Sequence, residues 1–265
     1  MKILIRGAGD LATGIAAELW ERGHQILMTD VAIPLTVRRE VAFSRAVYEE
    51  HAVVEGIEAV LADNFEEAET IMATRKIAVM VDEKAEVRKE YLPDVLVDGI
   101  MAKKNLGTRI SDAPLVIGIG PGFTAGEDVD VVIETKRGHN LGRVIRSGSA
   151  VPNTGIPGII GGYGKERVMH AQAEGILRNA ASIGDIVEAR AVIAEIETEK
   201  GTVPVETSLS GLLRGLIRDG YPVTKGFKIA DIDPRKEELQ NCFTISDKAR
   251  CIAGSVLEVI CGELE

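Results

Sequence analysis

Aromatic side chains are scarce in this sequence: Phe, Tyr and Trp make up 4% of it, with one Trp. That shortage excludes a platform on which the bases of single-stranded nucleic acid would stack. Basic charge is short as well. Against 41 Asp and Glu there are 31 Lys and Arg, a net charge of −10, which is the wrong sign for displacing counterions from a phosphate backbone. No nucleic-acid partner is expected. Long hydrophobic runs are also lacking. The opening "MKILIRGAGD" breaks at Arg6, too soon for the apolar region of a signal peptide. Nothing approaches the roughly eighteen apolar residues of a spanning helix, so no membrane association is expected. Cysteines number three, Cys242, Cys251 and Cys261, all near the C-terminus, which does not make a secreted disulfide framework. The expected address is the cytoplasm. Missing too are HExxH, paired CxxC and GxSxG motifs, so a metal hydrolase or serine esterase has no support and no metal ligands are assigned.

What is present suits an aliphatic core. Hydrophobic residues make up 45% of 265, enough for one large domain or two modest ones. In the first half, apolar runs such as "KILIRG", "QILMTD", "KIAVMVD", "DVLVDG", "LVIGIG" and "DVVIET" alternate with charged, helix-like stretches. Unalternating runs of that length read as strands buried on both faces, and intervening helices imply a parallel sheet. The expectation is an α/β chain whose residues 1–136 form a Rossmann-like nucleotide-binding domain.

The nucleotide reading rests on "RGAGDLATG". Gly7-x-Gly9-x-x-Ala12 follows a strand and opens a helix, the pattern of a dinucleotide fingerprint. Gly7 would make the tight turn, Gly9 would let a pyrophosphate approach the backbone, and Ala12 would allow close helix–strand packing. Asp30 ends the second strand 23 residues after Gly7, where an acid can accept from ribose hydroxyls. Asp10 places a negative charge beside the expected pyrophosphate, and Arg38, with Arg39, follows close behind, able to pair an extra phosphate or to be plain surface charge. Further on, "GPGFTAG" brings Gly120 and Gly122 into a candidate anion nest after a strand. "ETKRGHNLG" then gathers Glu134, Arg137 and His139 beyond the next strand, where the working end of a ligand would lie. His139 suits proton transfer near neutral pH, or a loop position satisfied by backbone.

Beyond residue 137 the texture changes. A glycine-rich connection, "SGSAVPNTGIPGIIGGYG", leads into an internal repeat: residues 168–196 align without gaps on 204–232, with eight identities including Gly175 on Gly211 and Ile196 on Ile232. The repeat resembles a biotinyl/lipoyl barrel-sandwich hybrid. The resemblance implies a barrel-sandwich over about 166–235 in a second domain of 137–265, closed by a terminal helix for which Ser246 is a natural N-cap. Lys200 falls in the joining turn, where a lipoyl domain carries its modified lysine. Its neighbours Glu199 and Gly201 depart from that family's Asp-Lys-Ala, so an unmodified turn is expected.

"IRGAGDLATGIA", "AFSRAVYE", "VDGIMAKKNLGT", "IGPGFTAG", "ETKRGHNLGRVI", "NTGIPGIIGGY" and "CFTISDKARCIAGSVLE" together resemble the YqeB family, described as selenium-dependent molybdenum hydroxylase system proteins. The resemblance implies an accessory factor for maturation of such a hydroxylase, with that enzyme or its cofactor-maturation proteins as partners. The ligand it implies is a nucleotide-bearing cofactor, with NAD(P) and molybdopterin dinucleotide as candidates. An NAD(P)-dependent oxidoreductase in the same pathway and a non-catalytic docking scaffold are the other readings.

Overall fold

The computed structural model describes residues 1–153, 155 and 158–263; parts of the glycine-rich connection (Thr154, Ile156, Pro157) and the last two residues, Leu264 and Glu265, lie outside them. The chain divides into two compact units. The first comprises Met1–Pro34, Val41–Thr154 and Ile245–Glu265, and the second Leu35–Glu40 and Gly155–Thr244.

The first unit begins with β1 (Lys2–Arg6), α1 (Asp10–Glu21) and β2 (Gln25–Asp30). A short α2 (Ala46–Glu49) precedes the hairpin β3 (His51–Val54) and β4 (Ile57–Ala62). Then come α3 (Phe65–Ala73), β5 (Ile77–Val81), α4 (Arg88–Tyr91), β6 (Val95–Asp98) and β7 (Leu115–Ile119). The short β8 (Thr124–Ala125), β9 (Val131–Ile133), β10 (Val144–Ile145) and β11 (Gly148–Ser149) follow. Nine strands make one sheet in the order β10-β9-β7-β6-β1-β2-β5-β4-β3. Strands β6, β7 and β1 bury nearly every side chain because both faces are covered, which is why the sequence there is apolar without alternation.

The second unit holds β12 (Val168–His170), β13 (Gly175–Asn179), β14 (Ile186–Val187), β15 (Val192–Thr198), β16 (Gly201–Glu206), β17 (Gly211–Leu216), β18 (Pro222–Val223) and β19 (Lys228–Asp233). They form two antiparallel four-stranded sheets, β12-β19-β17-β14 and β16-β15-β13-β18. The 36-residue offset relates β13 to β17, β14 to β18 and β15 to β19, and each sheet draws strands from both copies. Neither copy buries its apolar face alone; Leu177, Ile193 and Ile196 of the first share one cluster with Leu213, Ile229 and Ile232 of the second.

The expected Rossmann-like parallel sheet joined to a lipoyl/biotinyl-like barrel-sandwich with its terminal helix is therefore corrected. The large sheet is mixed: β3 and β10, its edges, run antiparallel to β4 and β9. The boundary after residue 136 also gives way. Residues 137–154 stay with the first unit, and the terminal helix α5 (Asp247–Glu263) belongs there too. The physical reason is packing. Gly14 presents no side chain, so Ala249 of α5 and Ile245 just before that helix seat against α1, where an added Cβ would come within 2.8 Å of Ala249 Cβ. Ser246 does cap that helix, its Oγ accepting from Ala249 N at 3.2 Å. Among the described residues no helix is long and apolar enough to cross a membrane.

Candidate functional site

The parallel strands of the first unit end on one edge of the sheet, and most of the singled-out residues gather there. Gly7 ends β1 with φ +93°, and its N–H donates to Thr29 O at 2.7 Å. A side chain at this position would meet Ile100 N and Cα at 3.0 Å, so the glycine is required by the chain's own backbone after β6. Gly9 is the N-cap of α1 and brings no side-chain cap. Asp10 Oδ1 accepts from Leu11 N at 3.0 Å. Ala12 is fully buried, its Cβ 3.1 Å from where a Cβ of Gly99 would stand.

Asp30 lies across this turn. Its Oδ2 accepts from Ala8 N at 2.9 Å and its Oδ1 from Val31 N at 2.8 Å. Burial pushes its carboxyl above the usual aspartate range, with those two N–H groups pulling the other way. Each oxygen keeps a lone pair for a hydroxyl donor.

Gly120 and Gly122 hold a neighbouring turn against the segment after β6. Space for a Cβ on Gly120 is taken by Thr135 Oγ1 at 2.7 Å, with Met101 Cε at 3.4 Å. On Gly122 it is taken by the Lys104 backbone at 2.7 Å. Residues 100–104 are thus seated on glycines from two turns. Met101 and Lys103 hold positive φ without being glycine, and Lys103 and Lys104 are exposed. Beneath them runs a buried network: Arg6 Nη1 donates to Thr108 Oγ1 at 2.8 Å, and Thr108 Oγ1 donates to Asp98 Oδ2 at 2.6 Å. Arg6 also donates to the carbonyls of Glu83 and Leu106. Burial raises the Asp98 carboxyl, opposed by Thr108, Ile100 N–H and Arg6.

The three residues expected at the working end part company. Glu134 is buried, and both its oxygens are committed, to Lys136 N at 2.7 Å and Val151 N at 2.8 Å. It braces the loop that follows β9. Arg137 makes a bidentate pair with Asp247 of α5, at 2.7 and 2.8 Å, which raises its guanidinium further. His139 is exposed in the same loop. Arg38 belongs to the second unit, where its Nη2 donates to Asn241 O and Thr244 O; it is not counted with this edge. Cys242 is buried in that unit, and burial pushes its thiol up, away from reactivity. Lys200 is exposed in the hairpin between β15 and β16, its N–H bonded to Thr198 Oγ1 at 3.1 Å.

One residue at the edge was not singled out in the sequence. Lys248, half-buried in the first turn of α5, lies in the field of Arg137, Asp10, Glu134 and Asp247. The signal that could have found it is a lysine where a helix start favours an acid. Among the described residues no group of three or more His, Cys, Asp or Glu is placed to hold a metal ion.

No family model matches the chain. Among solved structures, an aspartoacylase family protein from Mesorhizobium loti is 12% identical, with 87% of this chain and 84% of that one covered and a TM-score of 0.29. The apo ectoine utilization protein EutE from Ruegeria pomeroyi is 8% identical, with 88% and 87% covered and a TM-score of 0.26. Likeness at that level carries no conclusion about fold or activity. Sequence similarity is far stronger to the uncharacterized protein YqeB of Escherichia coli (strain K12), at 47% identity over 259 residues, 97% of this chain and 47% of that protein. The chain spans about half the length of this curated relative.

Proposed function

We propose that this chain binds a nucleotide-bearing cofactor at the carboxyl edge of its large sheet, as an accessory factor in maturation of a molybdenum hydroxylase. The binding half rests on the site; the hydroxylase half rests on the motif resemblance to YqeB proteins. A single observation carries the binding reading: α1 starts without a side-chain cap directly behind the Gly7 turn, with the Asp30 carboxylate across that turn. The first-turn N–H groups suit a phosphate, and Asp30 suits a ribose hydroxyl.

The residues fit such a ligand in part. Gly7, Gly120 and Gly122 are each occupied by the chain's own atoms and supply no cradle. The fit is carried by Gly9, the α1 start, Asp30 and the cations of the rim. NAD(P) and a pterin dinucleotide share the phosphate–ribose part these groups would hold. In that reading the chain binds and orients a finished group; Glu134 keeps the rim loop in place and Arg137 faces the ligand's charge.

Titration calorimetry with NAD+, NADP+, ADP and a pterin dinucleotide tests the reading. Saturable binding of any of these, weakened by Gly9→Asp, is expected. No heat from any of the four up to millimolar ligand would sink it. For the accessory role, pull-down from a host expressing a molybdenum hydroxylase should recover that enzyme or its maturation proteins.

A further inference from the structure

Helices α1 and α3 both end at the amino edge of the large sheet, where Gln25 opens β2 and Lys76 precedes β5. Between them lies an open cavity of about 240 Å³, lined by Trp20, His24, Gln25, Met72, Arg75 and Lys76 among others. Sites for drug-sized ligands run to roughly 300–1,000 Å³, so the occupant of this one is small. The two helices stop in the same way with different residues. After its C-cap Arg22, α1 takes Gly23 at φ +87°, the usual glycine in the left-handed position. After its C-cap Thr74, α3 takes Arg75 at φ +59° in the same place, a strained conformation for a residue with a Cβ. Capping does not explain the arginine. Leu19 O and Trp20 O already accept from His24 and Gly23 N–H at 3.3 and 2.9 Å, and Ile71 O and Met72 O from Thr74 and Arg75 N–H at 3.0 Å. The Arg75 guanidinium lies over the Trp20 ring, 4.9 Å from its centroid, and Trp20 Nε1 donates to Arg75 O at 3.1 Å. Among the described residues that guanidinium makes no hydrogen bond or ion pair. Lys76, by contrast, is answered by Glu58 at 2.6 Å. No acid is among the residues lining the cavity, in a chain of net charge −10.

We propose that this cavity binds a small aromatic carboxylate, with the carboxylate on the Arg75 fork and the ring against Trp20 and Met72. A guanidinium stacked on an indole is held flat and keeps its in-plane N–H groups for a carboxylate, whose two oxygens match that planar fork. The indole N–H is engaged by Arg75 O, so the rest of the Trp20 ring offers apolar surface. Burial holds His24 below the usual histidine range, so at neutral pH it lines the cavity as an uncharged donor and acceptor. The left-handed arginine is then accounted for: glycine would end α3 with less strain but would leave the cavity without its unpaired cation. This site lies at the edge opposite the one proposed for the nucleotide and stands independently of that reading.

Trp20 is the one Trp of the chain, so its fluorescence reports on this cavity directly. Titration of the whole chain with benzoate should give a saturable change. Benzamide, which keeps the ring without the charge, should bind far more weakly, and inorganic phosphate should leave the emission unchanged. The variants are Arg75→Gly and Arg75→Lys, with benzoate binding read by calorimetry because both disturb the emission of the indole itself. R75G should fold, since glycine suits that φ. It should bind benzoate roughly tenfold more weakly or worse, having lost a charge-assisted pair. R75K keeps the charge but not the fork, and should weaken binding by a similar factor. Benzoate affinity unchanged in either variant, benzamide bound as tightly as benzoate, or phosphate bound in its place would each overturn the proposal. So would a wild type that shows no saturation with benzoate up to tens of millimolar.

Discussion

Individual residues at the carboxyl edge divide into those that hold the chain and those with capacity to spare. Arg6, Thr108 and Asp98 are each buried and satisfied, so breaking one partner strands the others. Asp98→Ala leaves Arg6 as a buried cation with only carbonyls and a hydroxyl, and should cost about 3–5 kcal/mol in urea unfolding. Thr108→Val should cost less, about 1–3 kcal/mol, because it removes only a neutral group from the network. Asp30 makes a prediction with a sign. Its carboxyl is raised on folding, so between the usual value near 3.9 and the raised one the native protein holds a proton the unfolded chain has lost. Its contribution to stability therefore falls as pH rises through that window. Asp30→Asn lacks this dependence, and its deficit against wild type should be greatest at about pH 4 and shrink toward neutrality. Unfolding midpoints across that range check it; a deficit that grows with pH would mean that the two N–H bonds outweigh burial. The residue Arg38 shows why proximity in sequence misleads. It follows β2 by a few residues, yet 35–40 leaves the first unit, which no local pattern records.

At the scale of elements, the strands were largely legible and the helix partners were not. Runs such as KILIR and LVIGI announce strands because burial on both faces removes alternation. The 36-residue repeat was legible for a similar reason, since equivalent glycines and aliphatics recur where equivalent strands turn and pack. The docking of α5 on α1 was hidden, because its signature is only a glycine in one helix facing an alanine in another. That seam is testable. Gly14→Ala gains helix propensity but puts a Cβ 2.8 Å from Ala249 Cβ, and should lower the melting temperature. Gly254→Ala, in α5, meets nothing within 4 Å and is exposed, so it should raise stability by up to about 1 kcal/mol. If both variants stabilise, the helices are not in contact at that seam.

For the whole molecule, each unit encloses its own apolar cluster: Ile3, Ile15, Ile117 and Ile252 in the first, Leu177, Ile196, Leu213 and Ile232 in the second. Calorimetry should accordingly resolve two unfolding transitions, and ADP should move only that of the first unit, since its site residues all lie there. A single transition shifted as one would contradict independent cores. The sequence by itself determined the features that short-range physics dictates: aliphatic strands buried on both faces, glycine turns where the chain must reverse, a duplicated set of strands and an acidic surface. It also carried the resemblance to YqeB, because that is a matter of motifs in order. Tertiary structure alone decided which segments meet. The antiparallel edges, the excursion of residues 35–40 into the second unit and the return of α5 to the first depend on packing between residues far apart in sequence. The same is true of the candidate site. Gly9 and Asp30 lie in one β-α-β stretch, whereas the seating of α5 on α1 beside them depends on a glycine in α1 that leaves room for Ala249.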